Sequence, residues 1–191
     1  MRLVVGLGNP GPEYADTRHN VGFRCVDLLA RRFDAAWQER RRDLRSLLAV
    51  IRPDEDLTLV LAKPQTYMNL SGEAVACLLR RREGLAPDRD LLVLSDDVAL
   101  PFGTIRLRAR GSSGGQKGLQ SIIAALRTDE FMRLRIGIRP EHPVSDTARF
   151  VLERFPTAQR AEVEKVLARG AEALRAVLRD GLDKAMSQYN S

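Results

Sequence analysis

Residues 3–20 read LVVGLGNPGPEYADTRHN, and the fold turns on how this stretch is read. The apolar run Leu3-Val4-Val5 leads into Gly6, Gly8 and Gly11, and His19, one of two histidines in the chain, follows. A buried strand that stops in a turn of glycine and asparagine, with an imidazole beyond it, is how an α/β protein builds a site at the carboxyl end of its sheet. The same glycines match G-x-G-x-x-G, the dinucleotide-binding fingerprint. Local chemistry argues against that second reading. In a dinucleotide fold a helix starts within the motif and turns its amides toward pyrophosphate, but here Pro10 and Pro12 flank Gly11. Each proline removes an amide and biases the residue before it away from helix. No helix is therefore expected before about residue 16. The acidic residue expected ~20 positions further on, closing a second strand, is also missing. Residues 21–33 read as helix instead, with Val21, Phe23, Cys25, Val26, Leu28, Leu29 and Phe33 interleaved with Arg24, Asp27 and Arg31-Arg32.

Working outward, strands are expected over residues 2–7, 47–52, 57–62, 91–95, 104–108 and 134–138, and helices over 21–33, 72–82, 118–126 and 158–179. The last helix carries one apolar face through Val163, Val166-Leu167, Leu174 and Val177-Leu178. Pro53-Asp54-Glu55-Asp56 reads as a hairpin loop between two short strands. Strands alternating with helices predict an α/β fold, a twisted mixed, mostly parallel β-sheet flanked by helices. At 191 residues, with no linker, repeat or low-complexity tract, the expected organisation is a single domain over 1–191.

Composition narrows the function. No stretch approaches the ~20 apolar residues of a membrane span, and no signal peptide is read at the N-terminus. Cys25 and Cys77 are too few for a disulfide framework and sit among apolar neighbours. They read as reduced core residues of a cytoplasmic protein. No cluster of cysteine and histidine offers metal ligands, so no metal is expected. The net charge of +6 points to a polyanionic partner if the cations cluster. They do so at Arg40-Arg41-Arg42 with Arg45, at Arg106, Arg108, Arg110 and Lys117, and at Arg133, Arg135 and Arg139. Any one cluster reads as a solvated face; three together favour nucleic acid or another phosphate-rich ligand. Aromatic content of 5% argues against a surface that stacks many single-stranded bases and for one that grips structured RNA by its backbone.

Four segments end or follow expected strands and carry polar residues that a core does not need. They are Gly8-Asn9-Pro10 with His19-Asn20 beyond, 63–69 (KPQTYMN), 94–97 (LSDD) and 111–118 (GSSGGQKG). In a mostly parallel sheet these loops converge at one edge. The chemistry such a set supports is hydrolysis by activated water. An imidazole, with an unperturbed pKa of about 6.5, suits general-base work near neutrality. Asp96 is placed to accept its other proton, and Asn9 and Asn69 to donate to a developing oxyanion. Each residue also has a plainer reading. His19 alone fits a helix cap or a solvated side chain, Asn9 fits turn chemistry, Asn69 fits a helix start, and Asp96-Asp97 fits a solvated strand end. His142, between Glu141 and Pro143, reads as a loop residue.

Taken together, the motifs resemble the bacterial peptidyl-tRNA hydrolase family. The matching pieces are VVGLGNPGPEYADTRHNVGF at 4–23, KPQTYMNLSGEAV at 63–75, LSDDVALPFG at 94–103, GSSGGQKGLQSII at 111–123 and FMRLRIGIRP at 131–140. With the C-terminal helix they cover nearly the whole chain in family order. The resemblance implies an esterase that cleaves between the terminal carboxyl of a peptide and the 3′-ribose of tRNA, recycling tRNA from abandoned translation. It implies a monomer acting on the acceptor end of peptidyl-tRNA, without metal, cofactor or obligate protein partner. His19 matches the family's base and Asp96 its acidic partner. Asn9 and Asn69 match asparagines that position substrate and water, and Tyr14, Tyr67 and Met68 match cleft residues. Arg106, Arg108 and Arg135 lie where the family uses basic residues for tRNA. The chain departs from the pattern at Gln116-Lys117, where many members carry His-Asn. Lys117 is left facing a phosphate or the ester carbonyl. A non-catalytic RNA-binding relative on the same fold is the alternative that the intact His19, Asp96, Asn9 and Asn69 set argues against.

Overall fold

The computed structural model describes residues 1–41 and 44–190, with the backbone alone at 39–41. Among these residues seven strands form one sheet: β1 (Arg2–Gly6), β2 (Gln38–Arg41), β3 (Ser46–Asp54), β4 (Leu57–Pro64), β5 (Leu91–Pro101), β6 (Ile105–Arg108) and β7 (Met132–Arg139). The helices are α1 (Val21–Arg32), α2 (Ser71–Arg80), α3 (Pro87–Asp90), α4 (Lys117–Leu126), α5 (Thr147–Val151), α6 (Arg160–Asp180) and α7 (Leu182–Tyr189). The strand order is β2-β3-β4-β1-β5-β7-β6. β4, β1, β5 and β7 pair in parallel, whereas β2–β3, β3–β4 and β6–β7 pair antiparallel. Five of the seven strands thus run one way, the mixed and mostly parallel sheet that the alternation of elements predicts.

Alternate residues of each strand feed opposite layers, as the pleat requires. Val4, Leu92, Leu94, Leu107, Leu134 and Ile136 pack under α1, α6 and α7. Leu3, Val5, Leu91 and Val93 pack under α2 and α4. The amphipathic patterns therefore bury on both faces of one sheet. Cys25 lies wholly inside the first layer, where burial pushes its thiol up to about 12. Among the described residues no helix is long and apolar enough to cross a membrane.

The two prolines act as expected. Pro12–Tyr14 and Arg18–Asn20 form single 3₁₀ turns, and α1 begins only at Val21. α1 then lies unusually close to the sheet. A Cβ at Gly22 would stand 2.5 Å from both the Leu7 amide nitrogen and the Leu94 carbonyl oxygen, and one at Gly6 would strike the Gly22 carbonyl. Two backbone hydrogen bonds use that approach: Phe23 N–H donates to Leu7 O (3.1 Å) and Leu7 N–H to Leu94 O (2.9 Å).

Several elements differ from the sequence reading. The strand expected to end at Ser95 continues to Pro101, because β7 keeps pairing with it through Asp96–Ile136 and Asp97–Gly137. Asp96 and Asp97 are therefore inside a strand rather than in a loop after it. The strands expected over 57–62 and 134–138 extend to Pro64 and over Met132–Arg139. The long helix begins at Arg160 after a 3₁₀ turn. The edge strand β2 and the short helices α3, α5 and α7 lack the length that makes periodicity readable. α3 starts on Pro87, α5 is capped by the Asp146 side chain (3.0 Å to Arg149 N), and Gly181 at φ 89° breaks α7 away from α6.

The Gly6–Gly22 contact leaves no room for a methyl group. Gly22→Ala should destabilise the protein by about 1–3 kcal/mol, the usual range for overpacking. The check is a lower midpoint in urea with an unchanged slope.

Candidate active site

A cavity of about 540 Å³ opens at the carboxyl end of the parallel strands, where the four polar segments meet. Its polar wall is Asn9, His19, Asn69, Asp96, Asp97 and the loop 113–117; Arg135 closes one side. Val98, Met68, Leu119 and, at the end of α5, Val151 and Leu152 supply its apolar lining.

His19 is 9% exposed and its Nδ1 lies 2.9 Å from Asp96 Oδ2. An ionised carboxylate only accepts, so the neutral imidazole carries its proton on Nδ1 and keeps the Nε2 lone pair free. The turn that bears His19 is anchored on its far side. Arg18 N–H donates to Glu153 O (3.1 Å), and the Arg18 guanidinium lies 4.2 Å from the Phe150 ring centre and 3.4 Å from the Glu153 carboxylate. Burial pulls Arg18 below its ordinary value. Arg18 has no signal in the sequence beyond its neighbour His19.

Asn9 is oriented by elimination. Its Oδ1 accepts the Met68 amide (2.8 Å), so its two side-chain hydrogens must point elsewhere. Its backbone is held by Asn20, whose Oδ1 accepts Asn9 N–H (2.8 Å) and whose Nδ2 donates to Asn9 O (2.9 Å). Asn20 is 2% exposed and is a functional support that spacing alone did not single out. Asn69 and Tyr67 stand exposed on the rim, and Met68 is buried beneath them. Lys63, from the same segment, pairs instead with Asp27 (2.6 Å) beside Trp37.

Asp96 is 3% exposed, and both its oxygens are used: Oδ2 by His19 and Oδ1 by Gln116 Nε2 (3.0 Å). Gln116 also caps α4, its Oε1 accepting Leu119 N–H at 2.7 Å. Lys117, the first residue of α4, is exposed on the cavity wall. The loop before it is pinned from below. Arg133 is fully buried; its guanidinium lies 4.2 Å from the Phe131 ring centre and donates to four carbonyls: Gly111 O, Ser112 O (3.3 Å), Asp129 O (2.6 Å) and Phe131 O (3.3 Å). Burial and the neighbouring Arg135 charge pull it down to about 10, so it stays cationic at neutral pH. Arg133 is thus a structural clamp and not part of a basic surface. Arg135 bonds Asp97 (3.0 Å) and Ser112 O (2.7 Å).

Arg106 and Arg108 lie outside the cavity, exposed on the edge strand β6. They are register partners of Arg135 and Arg133, so all four share one sheet face. Tyr14 is half-buried in its own turn and does not line the cavity. His142 is exposed in the segment before α5, as its neighbours imply. Of the cluster at 40–45, residue 42 and the side chains of 40 and 41 lie outside the described residues, and Arg45 pairs with Glu73. Among the described residues no group of three His, Cys, Asp or Glu side chains comes together as metal ligands would.

The peptidyl-tRNA hydrolase family model matches residues 3–191. The chain belongs to the peptidyl-tRNA hydrolase family. It is 48% identical to a peptidyl-tRNA hydrolase of Chloroflexus aggregans, over 100% of this chain and 99% of that one. It is 45% identical to that of Koribacter versatilis, over 100% and 92%. A crystal structure of peptidyl-tRNA hydrolase from Acinetobacter baumannii matches 100% of this chain and 95% of its own, with a TM-score of 0.88 at 31% identity. In this member of the family, then, an imidazole–carboxylate pair, an oriented asparagine and a capped, clamped loop enclose one cavity.

Asn20→Ala leaves the Asn9 amide and carbonyl buried without partners. A loss of about 2 kcal/mol or more is expected from two unmet backbone groups, readable by urea unfolding.

Proposed function

We propose that this protein hydrolyses peptidyl-tRNA, with His19 as general base for the attacking water. The observation that carries the reading is the 2.9 Å bond between His19 Nδ1 and a buried Asp96, which leaves Nε2 as the basic atom facing the cavity. Nε2 takes a proton from water as its oxygen attacks the ester carbonyl. Asp96 stabilises the imidazolium that forms. The side-chain hydrogens of Asn9, with Asn69 and the Lys117 ammonium, meet the oxyanion or the adjoining ribose and phosphate. When the tetrahedral intermediate collapses, the imidazolium returns its proton to the 3′-oxygen of tRNA and the peptide leaves as its acid. The apolar wall of Val98, Val151 and Leu152 suits peptide side chains, and Tyr67 the terminal base.

The same reading takes Arg106 and Arg108 on β6 as contacts to the tRNA phosphates nearest the cavity, with Arg135 between them and the reacting ester. Tyr14 belongs to the rim in this reading only if its turn moves on binding. The protein acts as one unit over 1–191, as a monomer, in the cytoplasm, on the acceptor end of its substrate, and without metal or cofactor.

An N-blocked aminoacyl-tRNA is the test substrate. Wild-type protein should release the amino acid, and His19→Ala should do so at least ~10²-fold more slowly with little change in tRNA affinity, the range of general-base catalysis. Tight RNA binding without release would favour a binding protein instead. Binding should also weaken with salt, log Kd rising linearly with log salt concentration through a handful of phosphate contacts; Arg106→Ala with Arg108→Ala should flatten that slope.

A further inference from the structure

We infer that Gln116 is a positioning residue for the His19–Asp96 pair: a neutral amide that holds the far oxygen of the Asp96 carboxylate and thereby aims its near oxygen at the imidazole. The inference rests on the reading of His19 as general base.

A carboxylate that is 3% exposed needs donors in place of the water it has lost. His19 supplies one at Oδ2; Gln116 Nε2 supplies the other at Oδ1, 3.0 Å away. The direction of the amide is not arbitrary. Leu119 N–H can only donate, and it lies 2.7 Å from Gln116 Oε1. The oxygen is therefore committed to the helix, and the two hydrogens of Nε2 face inward. One meets Asp96 and the other meets Met68 Sδ at 3.2 Å. A flipped amide would set an oxygen against the carboxylate and a hydrogen against the Leu119 amide, two repulsions at once.

The position of Gln116 is in turn set by its place as the residue before α4, so the helix start carries the donor to the pair. A carboxylate with one donor keeps its broad torsional well; a second donor on the other oxygen narrows it. The amide does not titrate, so its hold is the same at every pH at which His19 works. The charged groups around the pair are few. Asp97 and Arg135 face each other at 3.0 Å, Lys117 stands on the cavity wall, and Arg18 turns away toward Phe150 and Glu153. With these charges placed, the donor from Gln116 is the neutral element that fixes the orientation of the Asp96 carboxylate.

Two substitutions separate this role from the cap. Gln116→Glu is isosteric and still accepts the Leu119 amide, but it sets a second carboxylate against Asp96. Gln116→Asn still caps a helix, yet is one methylene too short to serve both Leu119 and Asp96. Steady-state kinetics on N-blocked aminoacyl-tRNA across pH, with wild type and His19→Ala beside them, provide the readout. Both variants should lose kcat by about tenfold or more, the worth of one hydrogen bond to a charged group, with a smaller change in KM. In Gln116→Glu the acid limb of the kcat/KM profile should move to higher pH, because the added negative charge favours the imidazolium. If either variant keeps wild-type kcat, or the acid limb of Gln116→Glu does not move, Gln116 is only a cap and the inference is wrong. If His19→Ala is as active as wild type, the hydrolysis reading itself fails and takes the inference with it, an outcome visible without either Gln116 variant.

Discussion

The arrangement depends on how closely α1 approaches the sheet. Gly6 and Gly22 let backbone meet backbone, and the Phe23–Leu7 and Leu7–Leu94 hydrogen bonds lock the helix start between β1 and β5. His19 sits two residues before that start, and Asp96 is two residues past Leu94. The distance between base and carboxylate is therefore inherited from a main-chain contact. Had either glycine carried a side chain, the helix would ride higher and the imidazole would leave the carboxylate. Side-chain flexibility could not repair this, because both partners are buried and have little freedom to follow.

Around that contact the site is built by giving each buried polar atom a single permitted partner. Asn20 replaces a missing strand for Asn9, Met68 N–H decides which end of the Asn9 amide faces the cavity, and Arg133 gathers carbonyls of the 111–112 turn. These are the supports that hold a reacting geometry within a fraction of an ångström before substrate arrives. They also explain why the loop 113–117 can be rich in glycine and still present a defined surface: Gly114 and Gly115 adopt positive φ, while their neighbours are tied to the sheet.

The fold was largely legible in the sequence because its long elements are strongly periodic. The prolines at 10 and 12 correctly delayed the first helix, and the polar ends of four segments correctly shared one cavity. What escaped was of two kinds. Short elements such as α5 and β2 offer too few turns or alternations for a period to register. Partnerships across the chain have no local trace: nothing near residue 133 says that its guanidinium is buried, and nothing near residue 116 says that it reaches Asp96. The end of β5 was misplaced because two adjacent aspartates look like the close of a strand, while continued pairing with β7 decides otherwise. The motif that carries Tyr14 likewise gives no sign that its turn stands outside the cavity.

The regular pairing of β5 with β7 from Leu92 to Asp97 makes the site a matter of parity. Leu92 and Leu94 feed the layer of α1, whereas Leu91 and Val93 feed the layer of α4, and Asp96 and Asp97 continue that alternation along the strand. Asp96 thus belongs to His19, and Asp97, its immediate neighbour, belongs to Arg135 on the other side. Two carboxylates adjacent in the chain, both on the wall of one cavity, are thus turned by the pleat to different partners. Loss or gain of one residue within β5 would exchange them and turn the apolar set outward at the same time. The hairpin turn at 55–56, which no such alternation crosses, is free to vary in length. Over evolutionary time this segment should therefore change by substitution and hardly at all by insertion or deletion, an asymmetry written by strand geometry before any selection on catalysis.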